Sequence, residues 1–436
     1  MRKIIAIFLC LCLTIALLAS CGAGSIRQYE GEEAAGDAEP TEEPQEAAED
    51  DAEPAEEPEE AADDAEPTDE PEEEAEDDAE PTAEPTPSPK PGLGYAAYDP
   101  DQVVMTYNGL EATWREYYYW LNYYAGYVRY LAAMGAPFSG WDGSDYDPEM
   151  DNASLVRTSA ADGLFQYRAV EVLAEEDGLT LTQEDKDSMQ EAFEQAADSY
   201  GDGDGTCTDQ ELSDYEEYLD GQFMSRELLD HLSGVSLLSD KLLTARFGKD
   251  GENISDEDVL AYAEELGLLA CKHILLMTID PETNEELSDQ ELEQKKAQAD
   301  ELYEQLAAVQ DDPEKLEELF DQLMNEYSED TGLTYNPDGY QFVSGVMVPV
   351  FEETTASLEE YGLSQPVQSD YGYHIILRLP VDPNGTYTAS GGSTAALRTA
   401  AANQKLLELL QDTTANADIV WKDDFEQVDI EEIFGE

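Results

Sequence analysis

The sequence predicts an α+β protein with two folded parts, a mainly α-helical one over residues 95–267 and a compact unit of strands and helices over 268–382, preceded by a disordered acidic linker. Three observations predict it. Apolar residues recur at three- and four-residue intervals through most of 113–266, the period of amphipathic helices. Two apolar runs, Cys271–Met277 and Tyr373–Leu379, have the length of buried strands, and helical periodicity lies between them. Before residue 95 the chain carries charge and proline in place of apolar side chains.

The N-terminus comes first. Arg2 and Lys3 precede an apolar run from Ile4 to Leu18, too short to span a membrane comfortably and followed by small residues. Residues 1–20 therefore read as a signal peptide. Leu18-Ala19-Ser20-Cys21-Gly22 resembles the bacterial lipobox, whose cysteine becomes the first residue of the mature protein and carries a diacylglycerol on its thiol. The resemblance implies lipidation at Cys21 and a cell-membrane location, anchored on the extracytoplasmic face without a spanning helix. An ordinary signal peptide cut near Ser20, or an uncleaved anchor, is the alternative. Cys10 and Cys12 leave with the signal, and Cys207 and Cys271 are not expected to bridge, since two cysteines in a large domain do not make a disulfide framework.

A net charge of -82 repels nucleic acid and anionic lipid, so no nucleic-acid partner and no polybasic membrane docking is expected. Residues 21–94 form the tether. From Glu30 to Glu84 they are almost wholly Glu, Asp, Ala, Pro and Thr, with Asp-Asp-Ala-Glu-Pro recurring at Asp50, Asp63 and Asp77. Such a segment has too little apolar surface to offset ordering entropy, and its prolines keep it extended. Loose calcium buffering is an alternative role, but no fixed cage is visible.

In the helical part, Val103–Tyr107 reads as a strand ending in an Asn108-Gly109 turn, and Thr113 as the cap of a helix. That helix carries a stripe of Trp114, Tyr117, Tyr118, Leu121, Tyr124 and Val128, which is either core packing or a peptide-binding surface. After a Gly/Pro/Asp-rich insertion over 135–151, helical periodicity covers 160–174, 183–200, 209–232 and 235–247. Another helix follows from an N-cap at Ser255 to Leu266. Residues 200–211 nearly fit a calcium loop, with Asp202, Asp204 and Glu211 at the third, fifth and twelfth places. Tyr200 falls on the first place and supplies no carboxylate, which favours an acidic helix–helix turn.

The 268–382 unit opens with the strand Cys271–Met277. A helix follows from Ser288, with Glu291 completing a capping box, to Val309, then others over Leu316–Tyr327 and Phe351–Leu358. Tyr373–Leu379 closes the unit and Pro380 stops it. Residues 383–436 add a C-terminal helix, Thr394–Leu410, and an acidic tail containing Val420 and Trp421. By analogy with the layout described next, this helix packs back on the helical part.

Of three histidines, His273 and His374 sit inside the two bracketing strands. A buried imidazole is costly unless its nitrogens are hydrogen-bonded, so the two are expected to satisfy each other or a nearby polar group. No third ligand has suitable spacing, so no metal and no cofactor is expected, and there is no Ser–His–Asp arrangement for hydrolysis.

Lys272-His273-Ile274-Leu275, Tyr327-Ser328-Glu329-Asp330, Gly345-Val346-Met347-Val348-Pro349-Val350-Phe351-Glu352, Ser364-Gln365-Pro366-Val367 and Tyr371-Gly372-Tyr373-His374-Ile375-Ile376 together resemble the parvulin family of peptidyl-prolyl cis/trans isomerases, in order and spacing across the unit. The layout, with a helical chaperone-like segment before and a helix after, is similar to the PrsA-like extracytoplasmic foldase lipoproteins. The resemblance places His273, Asp330, His374 and Tyr371 at catalytic positions, and Met347, Phe351, Phe342 and Tyr340 around the proline pocket, with Phe342 behind the others. Two places depart from the family: Tyr340 stands for the pocket's leucine, and Tyr371 for a small hydroxyl residue before Gly-x-His. The resemblance implies a foldase that isomerises X–Pro bonds in unfolded or partly folded exported polypeptides, held to the membrane through its lipid. The alternative is a holdase chaperone whose parvulin unit is a catalytically weak scaffold.

Overall fold

The computed structural model describes residues 94–435 apart from Glu282 and Asn284. The signal peptide, Cys21 and all but the last residue of the tether lie outside the described residues.

Strands β1 (Val103–Tyr107) and β2 (Leu110–Thr113) form an antiparallel hairpin. Its two turn residues, Asn108 and Gly109, both take positive φ (50° and 87°), which matches the right-handed twist of the flanking strands. Helix α1 (Trp114–Ala133) follows at once, Thr113 accepting from the Glu116 N–H. All six residues of the aromatic stripe are buried, so the stripe is core packing. Helix α2 (Asn152–Glu176) crosses it closely at Gly163, where a Cβ would stand 2.9 Å from the Trp120 ring.

Helices α3 (Gln183–Tyr200), α4 (Asp209–Gly221), α5 (Arg226–Phe247) and α6 (Asp256–Leu266) complete the helical part. The boundary between α4 and α5 corrects the expected helix over 209–232. Phe223 turns to φ 63° and the Ser225 hydroxyl accepts from Leu228 N–H to start α5, whereas Gly234 lies inside α5 and makes room for Leu181.

The chain then builds β3 (Leu269–Met277), α7 (Asp289–Ala307), α8 (Pro313–Tyr327), β4 (Tyr340–Phe342), α9 (Pro349–Ser357), β5 (Val367–Gln368) and β6 (Gly372–Leu379). β7 (Thr386–Thr388) and β8 (Thr394–Ala396) extend the sheet to six strands, in the order β5-β6-β3-β4-β7-β8. The expected helix from Thr394 is corrected accordingly: its first three residues pair with β7, and α10 runs Leu397–Ala415. Alternation divides the sheet's two faces. Ile274, Leu276, Ile375 and Leu377 pack under α7 and α8, while Cys271, Phe342 and Ile376 pack with Phe351 of α9.

After α10 the chain returns to the helical part. β9 (Ile419–Trp421) pairs with β1, and α11 (Ile430–Phe434) sets Ile430, Ile433 and Phe434 into the same core as the aromatic stripe. Arg129 and Trp141 each donate to a tail carbonyl at 2.6 Å, those of Phe434 and Gly435. Among the described residues, no helix is long and apolar enough to cross a membrane. Cys207 and Cys271 are both free thiols.

Under the hairpin lies a buried charge cluster. Arg168 of α2 donates to Glu116 (2.5 Å), to Glu171 (2.6 Å) and to the Glu111 carbonyl (2.8 Å), and its guanidinium also meets His231 at 3.0 Å. Burial, opposed by Arg168 and aided by Glu171, raises Glu116 to about 7. Removing the cation leaves an uncompensated buried acid. Arg168→Met should therefore cost about 3–5 kcal/mol in urea unfolding, and adding Glu116→Gln should restore part of it. A loss below about 1 kcal/mol in the single variant would show that the cluster is not what holds α1 to α2.

Candidate active site

The site begins with strand register. Leu275 of β3 pairs opposite His374 of β6, so His273 and His374 are diagonal neighbours on one face of the sheet. Both are buried, at 6% and 4% exposure. Their rings stack at 17° with Nδ1 to Nδ1 at 3.2 Å. Each remaining nitrogen has a partner. His273 Nε2 lies 2.8 Å from Asp330 Oδ2, and His374 Nε2 lies 2.7 Å from Ser369 Oγ. Gly372 starts β6 because a Cβ there would collide with the Leu276 carbonyl of β3.

Asp330 follows α8 and caps a short 3₁₀ turn over Thr331–Thr334, Oδ1 accepting from Gly332 N–H at 2.9 Å. Oδ2 also accepts from the Tyr340 hydroxyl at 2.6 Å. Burial alone would raise its pKa, but hydrogen bonds from His273 and Tyr340, the charge interaction with His273 and the Gly332 N–H outweigh this and hold it at about 2. Burial, then the proximity of His273, lowers His374 to about 3. Burial and the Asp330 carboxylate raise the Tyr340 phenol, so it stays a donor.

Donor directions follow from completeness. Tyr371 N–H donates to Ser369 Oγ at 3.1 Å, which frees the Ser369 hydroxyl to donate to His374 Nε2. His374 Nδ1–H then donates to His273 Nδ1, and His273 Nε2–H donates to Asp330. The chain runs one way and ends on an anion.

Above it opens a cleft of ≈ 560 Å³, with Leu275, Val346, Met347, Val348, Phe351 and Tyr340 among its walls and Tyr371 at the rim. The Phe351 ring meets both imidazoles edge-on, at 5.0 Å and 5.4 Å. Seven of the eight residues named from sequence line this cleft. Phe342, placed behind the others by the resemblance, is fully buried, lines no part of the cleft and backs Phe351 at 6.1 Å. Tyr371 is half exposed and enters the hydrogen-bond chain through its backbone, while Ser369 supplies the hydroxyl. Ser369 was missed although it is the sole Ser or Thr between Pro366 and His374. In the acidic turn, Asp198, Asp202 and Asp204 approach one another, but Asp198 accepts from Gly205 and Thr206 N–H, and Glu211 caps α4 through Thr208.

Residues 273–379 match the family model of the PPIC-type PPIASE domain, or rotamase. This segment belongs to the parvulin-type prolyl isomerases. The Foldase protein PrsA of Caldanaerobacter subterraneus subsp. tengcongensis is 34% identical over 177 residues, 39% of this chain and 48% of that one. PrsA of Halalkalibacterium halodurans is 32% identical over 191 residues, 42% of this chain and 49% of that one. The chain thus spans about half the length of the curated relatives it matches. A solved PrsA from Bacillus cereus is 20% identical and covers 68% of this chain and 100% of that chain, with a TM-score of 0.26. His273, His374, Asp330, Met347 and Phe351 all fall inside the matched parvulin domain.

The lowered His374 pKa ties stability of the parvulin domain to pH. Below about 6.5 the unfolded chain protonates this histidine and the folded chain does not until about 3, so stability present above 6.5 is lost as pH falls. Asp330 acts only lower, between its unfolded value of about 3.9 and about 2. Unfolding free energies from urea titrations between pH 6.5 and 4.5 should fall more steeply in the wild type than in His374→Gln, by up to about 1.4 kcal/mol per pH unit. Parallel slopes would contradict the buried neutral imidazole.

Proposed function

We propose that this chain is a peptidyl-prolyl cis/trans isomerase that works as a foldase on exported polypeptides, held to the outer face of the membrane by a lipid on Cys21. The observation that carries the reading is the closed chain from Ser369 to Asp330 lying directly beneath an apolar cleft. Turning an X–Pro bond crosses a barrier of roughly 18–20 kcal/mol because amide resonance is lost on twisting. No covalent bond is broken, so the site needs shape and polarity, which its own side chains provide.

Met347 and Phe351 offer a dry slot for the proline ring. A twisted amide has lost resonance and charge separation, so it tolerates that slot better than the planar amide does, and the transition state is bound preferentially. Asp330 provides a fixed negative charge at one end of the floor, and the two imidazoles are held in single orientations by their hydrogen bonds. His273 thus orients the floor and takes no proton from the substrate. The holdase alternative drew on the departures at Tyr340 and Tyr371 and gave client binding to the aromatic helical region, and the aromatic stripe of that region is buried core. The lipobox-like Leu18–Cys21 sequence supports the anchor. The loop after β3, Thr278–Glu286, has no Lys or Arg and three Glu and one Asp, which disfavours phosphorylated substrates.

A protease-coupled prolyl-peptide assay on the full chain tests the activity. The wild type should raise the isomerisation rate, and Asp330→Ala and Phe351→Ala should each lower kcat/KM by about tenfold or more. No rate above background in the wild type would leave a chaperone without isomerase activity. In the same assay, a peptide with phosphoserine before proline should turn more slowly than one with an uncharged residue there. A faster phosphopeptide would overturn the charge argument.

A further inference from the structure

Tyr340 stands where the parvulin pattern has an apolar residue, and its ring does line the cleft. Its hydroxyl does something an apolar residue could not: it donates to Asp330 Oδ2 at 2.6 Å, on the same oxygen that His273 Nε2 approaches at 2.8 Å. With Gly332 N–H on Oδ1, the carboxylate is gripped from three sides, by β3, by β4 and by its own turn. Gly332 belongs to the same arrangement, because a Cβ at that position would collide with the Tyr340 hydroxyl. The Tyr340 ring is fixed in turn. Its residue pairs with Cys271 across the strands, and the ring lies edge-on to His273 at 5.6 Å.

We propose that Tyr340 is a positioning residue for the isomerisation: its hydroxyl clamps the Asp330 carboxylate in one orientation under the cleft, so that the twisting amide meets an already ordered charge. A carboxylate held only by His273 and Gly332 could rotate about its χ2 torsion, which is broad for aspartate. With Tyr340 and His273 sharing Oδ2, the plane is set before substrate arrives, and no reorganisation is required during the reaction. The tyrosine stays protonated, so the clamp persists across the working pH range. The other ionisable groups near Asp330 are His273 from β3, His374 from β6, and Glu329, whose carboxylate lies on Lys295 at 2.5 Å.

The inference rests on the isomerase reading, and two measurements on the full chain keep the two apart. The first is kcat and KM at pH 7 with an uncharged X–Pro peptide, for the wild type and Tyr340→Phe, which retains the ring and removes only the donor. The variant should lose about 3- to 10-fold at pH 7, the effect of one hydrogen bond, in kcat with KM little changed. The second measurement is the ¹³C carboxyl titration of Asp330, which needs no turnover: its midpoint should rise in Tyr340→Phe. An unchanged kcat in Tyr340→Phe together with an unmoved Asp330 midpoint would overturn the clamp. A wild type without activity, but with a midpoint that moves on substitution, would overturn the isomerase reading and the positioning role while leaving the clamp as a structural contact.

Discussion

Two buried imidazoles in contact set the terms for the parvulin unit. Each of their four nitrogens requires a partner, and an unsatisfied one would cost about 1–3 kcal/mol in so dry a place. His273 and His374 spend one nitrogen each on the other, which leaves two to be satisfied from outside the strands. Those two demands draw in Asp330 after α8 and Ser369 before β6. The positions of the two connecting segments are thereby tied to the centre of the sheet, and the cleft lies between them. A polar line under an apolar hollow is what rotation about an amide needs, since the reaction redistributes charge without making or breaking a bond.

The helical part has a related logic on a larger scale. The chain leaves it after α6, builds the six-stranded sheet, and returns through α10 to place β9 beside β1 and α11 against the aromatic stripe of α1. The core is therefore closed by residues more than two hundred positions apart. The buried Arg168 cluster fastens α1, α2 and the hairpin at one end, and the tail carbonyls that receive Arg129 and Trp141 fasten α1 and the segment beyond it at the other. The two ends of the intervening unit meet where α6 and α10 share a core, with Val259 and Ala263 beside Leu397, Ala401 and Ala402.

Much of this was legible in the sequence where the signal is periodic or local. The two long strands, the caps at Thr113, Ser255 and Ser288, and the aromatic face of α1 all read directly from spacing. Strands of three residues did not: β7, β8 and β9 are too short to show alternation, and each is recruited by a neighbour already in place. The break between α4 and α5 was hidden because Phe223 adopts positive φ, which its residue type does not announce, while Gly234 suggested a break that packing against Leu181 overrides. In the site, His273 and His374 were legible from their place in apolar strands, and the family resemblance located Asp330, Met347 and Phe351. The deeper place of Phe342 came from the resemblance and not from its own residue type, and the hydroxyls of Ser369 and Tyr340 show their purpose only once distant strands bring them to His374 and Asp330. Arg168 and Glu116 likewise look like ordinary helix-surface charges until the fold buries them together.

The direction of the hydrogen-bond chain is the central claim, because it makes the floor of the cleft a fixed array that exchanges no proton. With three histidines in the whole chain, ¹⁵N labelling of histidine in the full-length protein reads it directly. Imidazole ¹⁵N shifts should show His374 neutral with its proton on Nδ1 and His273 carrying a proton on Nε2, with the His374 pattern unchanged from pH 7 down to 5. A His374 that carries its proton on Nε2, or that titrates in the ordinary histidine range, would contradict the account.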